Sequence, residues 1–590
     1  MKVVLLGVLV AAVGRVRTQS CGPNVTFDLA ALSIDSVVKR AIGECGWSCE
    51  AVTRFFLARV RDHDGAIGAV LASNPRALDD ARRLDAFRNE SGGRLMGRLH
   101  CVPMLVKDNI WTMDMNTTVG VDALSASRAG RDAAVVSALR NEGALLIGKA
   151  NMAFLALDAA VSYSQTGRAV RNPYDRRRTA FGSSGGSAAA VGAGLAVFAL
   201  ATDTGCSGRL PASGAGVAAL RPTQHQLIST DLVGPDFPPA LTVTPMARRV
   251  EDLATLVQVI NATATAKPRF SNRPDYRLRD DDSLAGVRFV VLKELFYGPI
   301  PRTPSMNETL ADEQVESLAR AFVANVSSSG AFVQELDVGA DLSSAMELVF
   351  GMAGNLSAED IHRRYLYSNI VCKEKFGNDF FRFVNASGGH VPFASFREFV
   401  ERSTLPEPFV TIATGALSNS ANHSCDQFLA RRQAVVRKVQ AHAERYFQSG
   451  DVLLLQNILQ LPPLLNDDTT NVMQGRMEAR LIELHGLSSL GGYPSLSLPI
   501  GFSAASEGAP RGLPVGMQLV GRRGEEDLLL RVGHAYQRRF ADFRAPVLPR
   551  ADETRVEASS AGDRAAAAAH AGLAALLAGC GAWLARRLNQ

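Results

Sequence analysis

Apolar positions recur every three to four residues in Cys49–Asp64, "CEAVTRFFLARVRDHD", which predicts an amphipathic helix with Ser48 as its N-cap. "NPRALDDARRLDAFRNES" predicts a second helix, with Asn74 as cap and Pro75 in the first turn. The pattern then shortens. "LHCVPMLVKDNI" reads as a strand ending at a charged tip, and "DAAVVSALRNEGALLIGKANM" reads as a helix followed by the buried strand "ALLIG". A small-residue helix and an apolar strand follow in "AVGAGLAVFALATD". "GVRFVVL" from Gly286 is another buried strand, and "YPSLSLPIGF" and "LPVGMQLVG" form a late strand pair. Helices alternating with apolar strands predict an α/β chain, a central mixed twisted sheet with helices on both faces.

The two ends have their own patterns. Lys2 precedes an apolar run, Val3–Val13, too short to span a bilayer, so residues 1–20 read as a signal peptide. Residues 27–549 form one continuous domain, in which 267–422 is the least readable part and is expected to be a variable cap over the core. A polar linker, 550–564, leads to the hydrophobic segment 565–585, which Arg586 and Arg587 follow. Three readings of that segment stay open: a membrane-spanning helix, a lipid-anchor signal cleaved near Ser559 or Ser560, or an Ala-rich soluble helix.

Net charge is +5 over 590 residues, and no basic stripe stands out, so nucleic acid is not expected as a partner. Asn-x-Ser/Thr sequons begin at Asn24, Asn89, Asn116, Asn261, Asn307, Asn325, Asn355, Asn385 and Asn422, a surplus that fits an extracellular or cell-surface glycoprotein. Eight cysteines would pair in part in that oxidising setting, with connectivity unread; Cys45 and Cys49 have no second pair to complete a zinc site.

The chemistry centres on Ala180–Ala190, "AFGSSGGSAAA". A phosphate loop would need Gly-Lys-Ser/Thr, but Gly186 is followed by Ser187 and Ala188. A dinucleotide loop or a G-x-S-x-G nucleophile elbow would need a hydrophobic strand before it, and "RNPYDRRRT" is none. Ser36–Lys39 matches S-x-x-K, but no K-T-G follows. What does follow the loop is the small-residue helix, an apolar strand, and then Thr202-Asp203-Thr204-Gly205-Cys206-Ser207 with Arg209 and Pro211.

Here the sequence resembles the amidase signature family. Ser183 and Ser207 stand at that family's spacing, "GRLHCVPMLVKDNI" looks like its Gly-x-Pro-x-x-x-Lys-Asp strand with Lys107 as the catalytic lysine, and "GKANM", "RNPYD" and the closing strands also fit. The resemblance covers most of Phe27 to Ala541. It implies a serine amidohydrolase with no metal or organic cofactor, acting on a small-molecule amide. A serine needs a base, and lysine serves only when neutral, which burial can achieve. In the implied mechanism neutral Lys107 takes a proton from Ser183, Ser183 relays one from Ser207, and Ser207 attacks the amide carbonyl. The backbone N–H groups of Thr204, Gly205, Cys206 and Ser207 would form the oxyanion hole, with Ser184, Asp203 and Arg209 in support, and Ser183 would sit on a cis peptide bond.

Phe181, Cys206 and Gly208 depart from the family pattern, where glycine, glycine and an aliphatic residue are usual. They raise two rival readings: an amidase-like surface protein that binds without cleaving, and the related amidotransferase subunit that supplies ammonia for transfer-RNA charging. Membrane association through the C-terminal segment and a homodimer complete the partner expectations.

Overall fold

Strands from both halves of the chain meet in one sheet in the computed structural model, which describes residues 21, 25–224, 241–262, 276, 278, 283–298, 312–339, 341, 388–404, 425–465 and 484–549. Its strands are β1 (Val70–Ser73), β2 (Pro103–Lys107), β3 (Leu145–Ala150), β4 (Phe198–Asp203), β5 (Ala218–Arg221), β6 (Thr242–Ala247), β7 (Arg288–Leu292), β8 (Phe332–Leu336), β9 (Val452–Gln456), β10 (Ser495–Phe502) and β11 (Pro514–Val520). They are ordered β1-β3-β2-β4-β6-β5-β10-β11-β9-β7-β8. β2 runs parallel to β3 and β4, whereas β10 pairs antiparallel with β5 and β11, so the sheet is mixed.

Strand periodicity explains why both faces are covered. Phe289 and Val291 of β7 and Val452 and Leu454 of β9 belong to the main apolar core. The residues between them, Val290, Leu292, Leu453 and Leu455, pack in a separate cluster with Val435, Val439 and Phe447 of the helix Cys425–Ser449. Successive side chains point to opposite faces, and each face finds its own apolar partners.

The helices that frame the site are α1 (Cys49–Ile67), α2 (Ala77–Glu90), α3 (Ala134–Asn141), α4 (Gly185–Gly192), α5 (Arg209–Gly214) and α6 (Val250–Ala262). Ser48 caps α1 as expected, its Oγ accepting the Ala51 N–H at 3.0 Å. Asn74 does not cap α2. Its Oδ1 accepts the Arg76 N–H at 3.0 Å in a turn before the helix, while its amide donates to the Leu146 carbonyl at 2.8 Å. The side chain therefore ties the turn to β3, and α2 begins two residues after Pro75.

The stretch 267–422 is more than a cap. β7, β8 and the helix Glu313–Ser328 lie within it, and the two strands extend the sheet to its far edge. The S-x-x-K match folds into the helical turns Ser36–Glu44, where Lys39 is exposed and paired with Asp35.

Asn89 and Asn116 are exposed, but Asn261 is only 7% exposed within α6. A glycan cannot be accommodated on so enclosed a side chain, which removes Asn261 from the expected set. Asn325 is half-buried in the helix Glu313–Ser328. Asn24, Asn307, Asn355, Asn385, Asn422, the segment 1–20 and everything beyond Pro549 lie outside the described residues. Cysteines pair as Cys21–Cys45 and Cys49–Cys101, and Cys206 is free and buried. Among the described residues no helix is long and apolar enough to cross a membrane.

Candidate active site

The parallel pairing of β2 with β4 brings their C-terminal ends to the same edge of the sheet, the edge where α/β folds generally bind ligands. Lys107 is the last residue of β2 and is fully buried. Its Nζ lies 2.8 Å from Ser183 Oγ and 2.9 Å from Thr202 Oγ1 near the end of β4. Burial pushes this lysine down to about 7, against the opposing pull of Asp203. An amine that would be an inert ammonium in water is thereby placed where it can accept a proton near neutral pH.

The glycine-serine loop holds Ser183 against this lysine. The Gly182–Ser183 peptide bond is cis, as the resemblance implied. Gly182 has no room for a side chain, because a Cβ there would stand 2.2 Å from the Asp158 carbonyl oxygen. Ser162 clamps the loop, its hydroxyl donating to the Phe181 carbonyl at 2.8 Å and accepting the Gly185 N–H at 2.9 Å. Ser184 joins the loop to β4 and to the second serine: its Oγ donates to the Thr202 carbonyl at 3.0 Å, and its N–H donates to the Ser207 carbonyl at 3.2 Å.

Ser207 lies in the turn between β4 and α5, half-buried, with Thr204 and Gly205 beside it. Asp203 shapes that turn. Its carboxylate accepts the N–H groups of Gly208 and Arg209, both at 3.1 Å, and the Arg209 guanidinium at 3.0 Å. Arg221 stands 3.4 Å away. Burial would raise the Asp203 carboxyl, but the two guanidinium groups hold it well below the usual carboxylate range. Arg209 also donates to the carbonyl of Gly205 and to Gln518 Oε1. The N–H groups of Gly205, Cys206 and Ser207 donate to no acceptor among the described residues. Replacing Arg209 by methionine would leave the buried Asp203 its backbone N–H donors and Arg221, but not the guanidinium that bonds both of its oxygens. Denaturant unfolding should then show a stability loss of about 3–5 kcal/mol, the usual effect of removing one partner of a buried pair.

The three departures from the family pattern have local explanations. A side chain at Gly208 would press on Thr244 Cγ2 at 2.7 Å and on Asp203 Cβ at 3.2 Å. Phe181 is fully buried at φ 58° and packs with Ala160, Cys206 and Leu210 in an apolar cluster of its own. Within that cluster, burial and the neighbouring Asp203 push the Cys206 thiol up to about 12.

The structure thus brings Lys107, Ser183, Ser184, Asp203, Arg209 and the 204–207 turn together. Four further participants join the site: Asn109 and Thr202, which lie inside the motifs without a role assigned to them, and Gln518 and His485, which no motif announces. His485 is buried beside the Asp203–Arg209 pair and bonds the Asn457 carbonyl at 2.9 Å; burial and the Arg209 charge push it down to about 3, so it stays neutral. Only the late strand "MQLV" and the return of the chain to the sheet bring Gln518 and His485 near Arg209. Among the described residues, Cys49, His100 and Cys101 converge closely enough to hold a metal, but the two sulfurs are joined to each other.

Comparison with known proteins fits this geometry. The sequence model of the Amidase family matches residues 51–530. The chain is 32% identical over 497 residues to the A subunit of the glutamyl-tRNA(Gln) amidotransferase of Symbiobacterium thermophilum, covering 82% of this chain and 91% of that protein. Its counterpart of the same name from Anaeromyxobacter sp. is 32% identical over 499 residues, covering 84% of this chain and 93% of its own length. The native peptide amidase of Stenotrophomonas maltophilia superposes with a TM-score of 0.66 at 24% identity, over 89% of this chain and all of that one, a likeness of fold.

Proposed function

The chain belongs to the amidase signature family of serine amidohydrolases, enzymes acting on carbon–nitrogen bonds, and on that premise we propose that it hydrolyses a linear carboxamide through an acyl-enzyme on Ser207. The observation that carries this reading is the fully buried contact of Lys107 Nζ with Ser183 Oγ at 2.8 Å, beside the turn that bears Ser207. Lys107 is the base, Ser183 the relay and Ser207 the nucleophile. The N–H groups of Gly205, Cys206 and Ser207, which meet no acceptor among the described residues, would with that of Thr204 receive the developing oxyanion, where such donors contribute about 3 kcal/mol each. The relay returns the proton to the departing amine, and water then releases the acid. The test is a fluorophosphonate probe with peptide mapping, alongside hydrolysis assays on small, aromatic, peptide and fatty amides and on glutamine. No adduct and no hydrolysis would leave a binding protein on this fold.

A second reading has its own support. The relatives that are 32% identical are amidotransferase subunits, so this chain would be one component of an assembly. Amide hydrolysis by the purified chain, without added partners, separates the two.

We also place the protein in the secretory pathway. The apolar N-terminal run, the sequons and the two disulfides support this. Glycosidase treatment of native protein should lower its apparent mass, with Asn89 and Asn116 among the modified positions. An unchanged mass together with a cytosolic pool would refute it. On the same reading the 565–585 segment anchors the protein to a membrane, and cutting the chain after Ala561 should release it.

A further inference from the structure

We propose that Thr202 and Asn109 are positioning residues that hold the lone pair of Lys107 on Ser183. This rests on the reading of Lys107 as the base.

A neutral amine has one lone pair and two N–H bonds. If the lone pair is to receive the Ser183 proton, both N–H bonds must point elsewhere, and at a site this enclosed each needs a partner. Thr202 Oγ1, 2.9 Å from Nζ, supplies one. A hydroxyl could also meet the amine the other way round, donating its own proton and competing with Ser183 for the lone pair. Asn109 weighs against that. It sits in the turn just after β2, closed by the Ile110 N–H donating to the Lys107 carbonyl at 2.9 Å, and its Nδ2 donates to the same Thr202 Oγ1 at 3.0 Å. Lys107, Asn109, Thr202 and Ser183 are each at most 1% exposed. The amide nitrogen can only donate, so the threonine oxygen stands between two donors and serves as acceptor. After proton transfer the ammonium has only N–H bonds to offer, and Thr202 is already turned to receive one. The positive end of the Asn109 amide dipole, directed at the shared oxygen, also disfavours a resident proton on Lys107. Among the described residues Asn109 Oδ1 has no hydrogen-bond partner, and the side chain's hydrogen bond goes to Thr202. The other titratable groups that act on Lys107 are Asp203, already held by Arg209 and Arg221, and the Cys206 thiol.

The test is a kinetic series on the full-length protein: Thr202→Val, Thr202→Ser, Asn109→Asp and Lys107→Ala, with pH–rate profiles on an amide that the wild type hydrolyses. Thr202→Val should lower kcat by about 10- to 100-fold with KM little changed and displace the acid limb, because a general-base contribution depends on the aim of the base. Thr202→Ser should restore both. Asn109→Asp, which replaces the donor by a buried carboxylate, should move the acid limb to higher pH. The proposal fails if Thr202→Val keeps the wild-type kcat and acid limb while Lys107→Ala is inactive, if Thr202→Ser does not rescue, or if Asn109→Asp leaves the limb in place. Should Thr202→Val not fold, the serine and aspartate variants decide. Full activity in Lys107→Ala would instead overturn the parent reading.

Discussion

Ser207→Ala is expected to abolish acyl-enzyme formation and to lower turnover on the order of 10⁴- to 10⁶-fold, the range seen when a hydrolase loses its nucleophile but keeps its oxyanion donors. The replaced hydroxyl lies in a turn fixed by Asp203, not by Ser207 itself. The Gly208 and Arg209 N–H groups stay bonded to that carboxylate, so the fold should survive the change. The competing nucleophile is the neighbouring thiol. Cys206 is buried, and with its thiol pushed up to about 12 it stays protonated near neutral pH and offers too little thiolate to act. Mass spectrometry of a trapped intermediate should therefore place the acyl group on Ser207. An adduct on Cys206, or undiminished turnover in Ser207→Ala, would overturn the assignment.

Lys107→Ala is expected to cost a comparable factor and to remove the acid limb of the pH–rate profile. The sign follows from which form of the lysine works. Burial pushes Lys107 down to about 7, so below that pH the group carries a proton and cannot take one from Ser183. Turnover in the wild type should fall about tenfold per unit below pH 7 and level off above it. On the proposed mechanism Lys107 and Ser183 form one relay, so Lys107→Ala with Ser183→Ala should cost far less than the product of the two single losses. A wild-type profile flat from pH 5 to 9, or full multiplication of the two losses, would sink the relay.

What was legible in the sequence depended on range. Ser48, the "ALLIG" strand and the "YPSLSLPIGF"–"LPVGMQLVG" pair were readable because caps and periodicity are local properties. Lys107, Ser183 and Ser207 were readable because their neighbours form a dense motif. Thr202 sits inside that motif yet escaped notice, since its role appears only when β4 is laid beside β2. Gln518 and His485 lie some 300 residues from Arg209 and meet it only through the sheet order, which periodicity does not encode. Asn74 misled for a different reason: a residue with good capping chemistry was taken by a tertiary contact to β3. The burial of Asn261 likewise depends on what packs over α6, not on its sequon.

The Cys49–Cys101 cross-link has a practical side. It fastens the first residue of α1 to the segment that leads into β2, across a separation of 52 residues. Closing a loop of that length restrains the unfolded chain by about 4 kcal/mol, a large share of the stability of an ordinary domain. Cys21–Cys45 adds a second staple just upstream. Recombinant protein made in a reducing host would have to fold without either, and Cys101 lies only two residues before the strand that carries Lys107. Low yield or weak activity from such a preparation would report on the host, so assays should begin with material from an oxidising route.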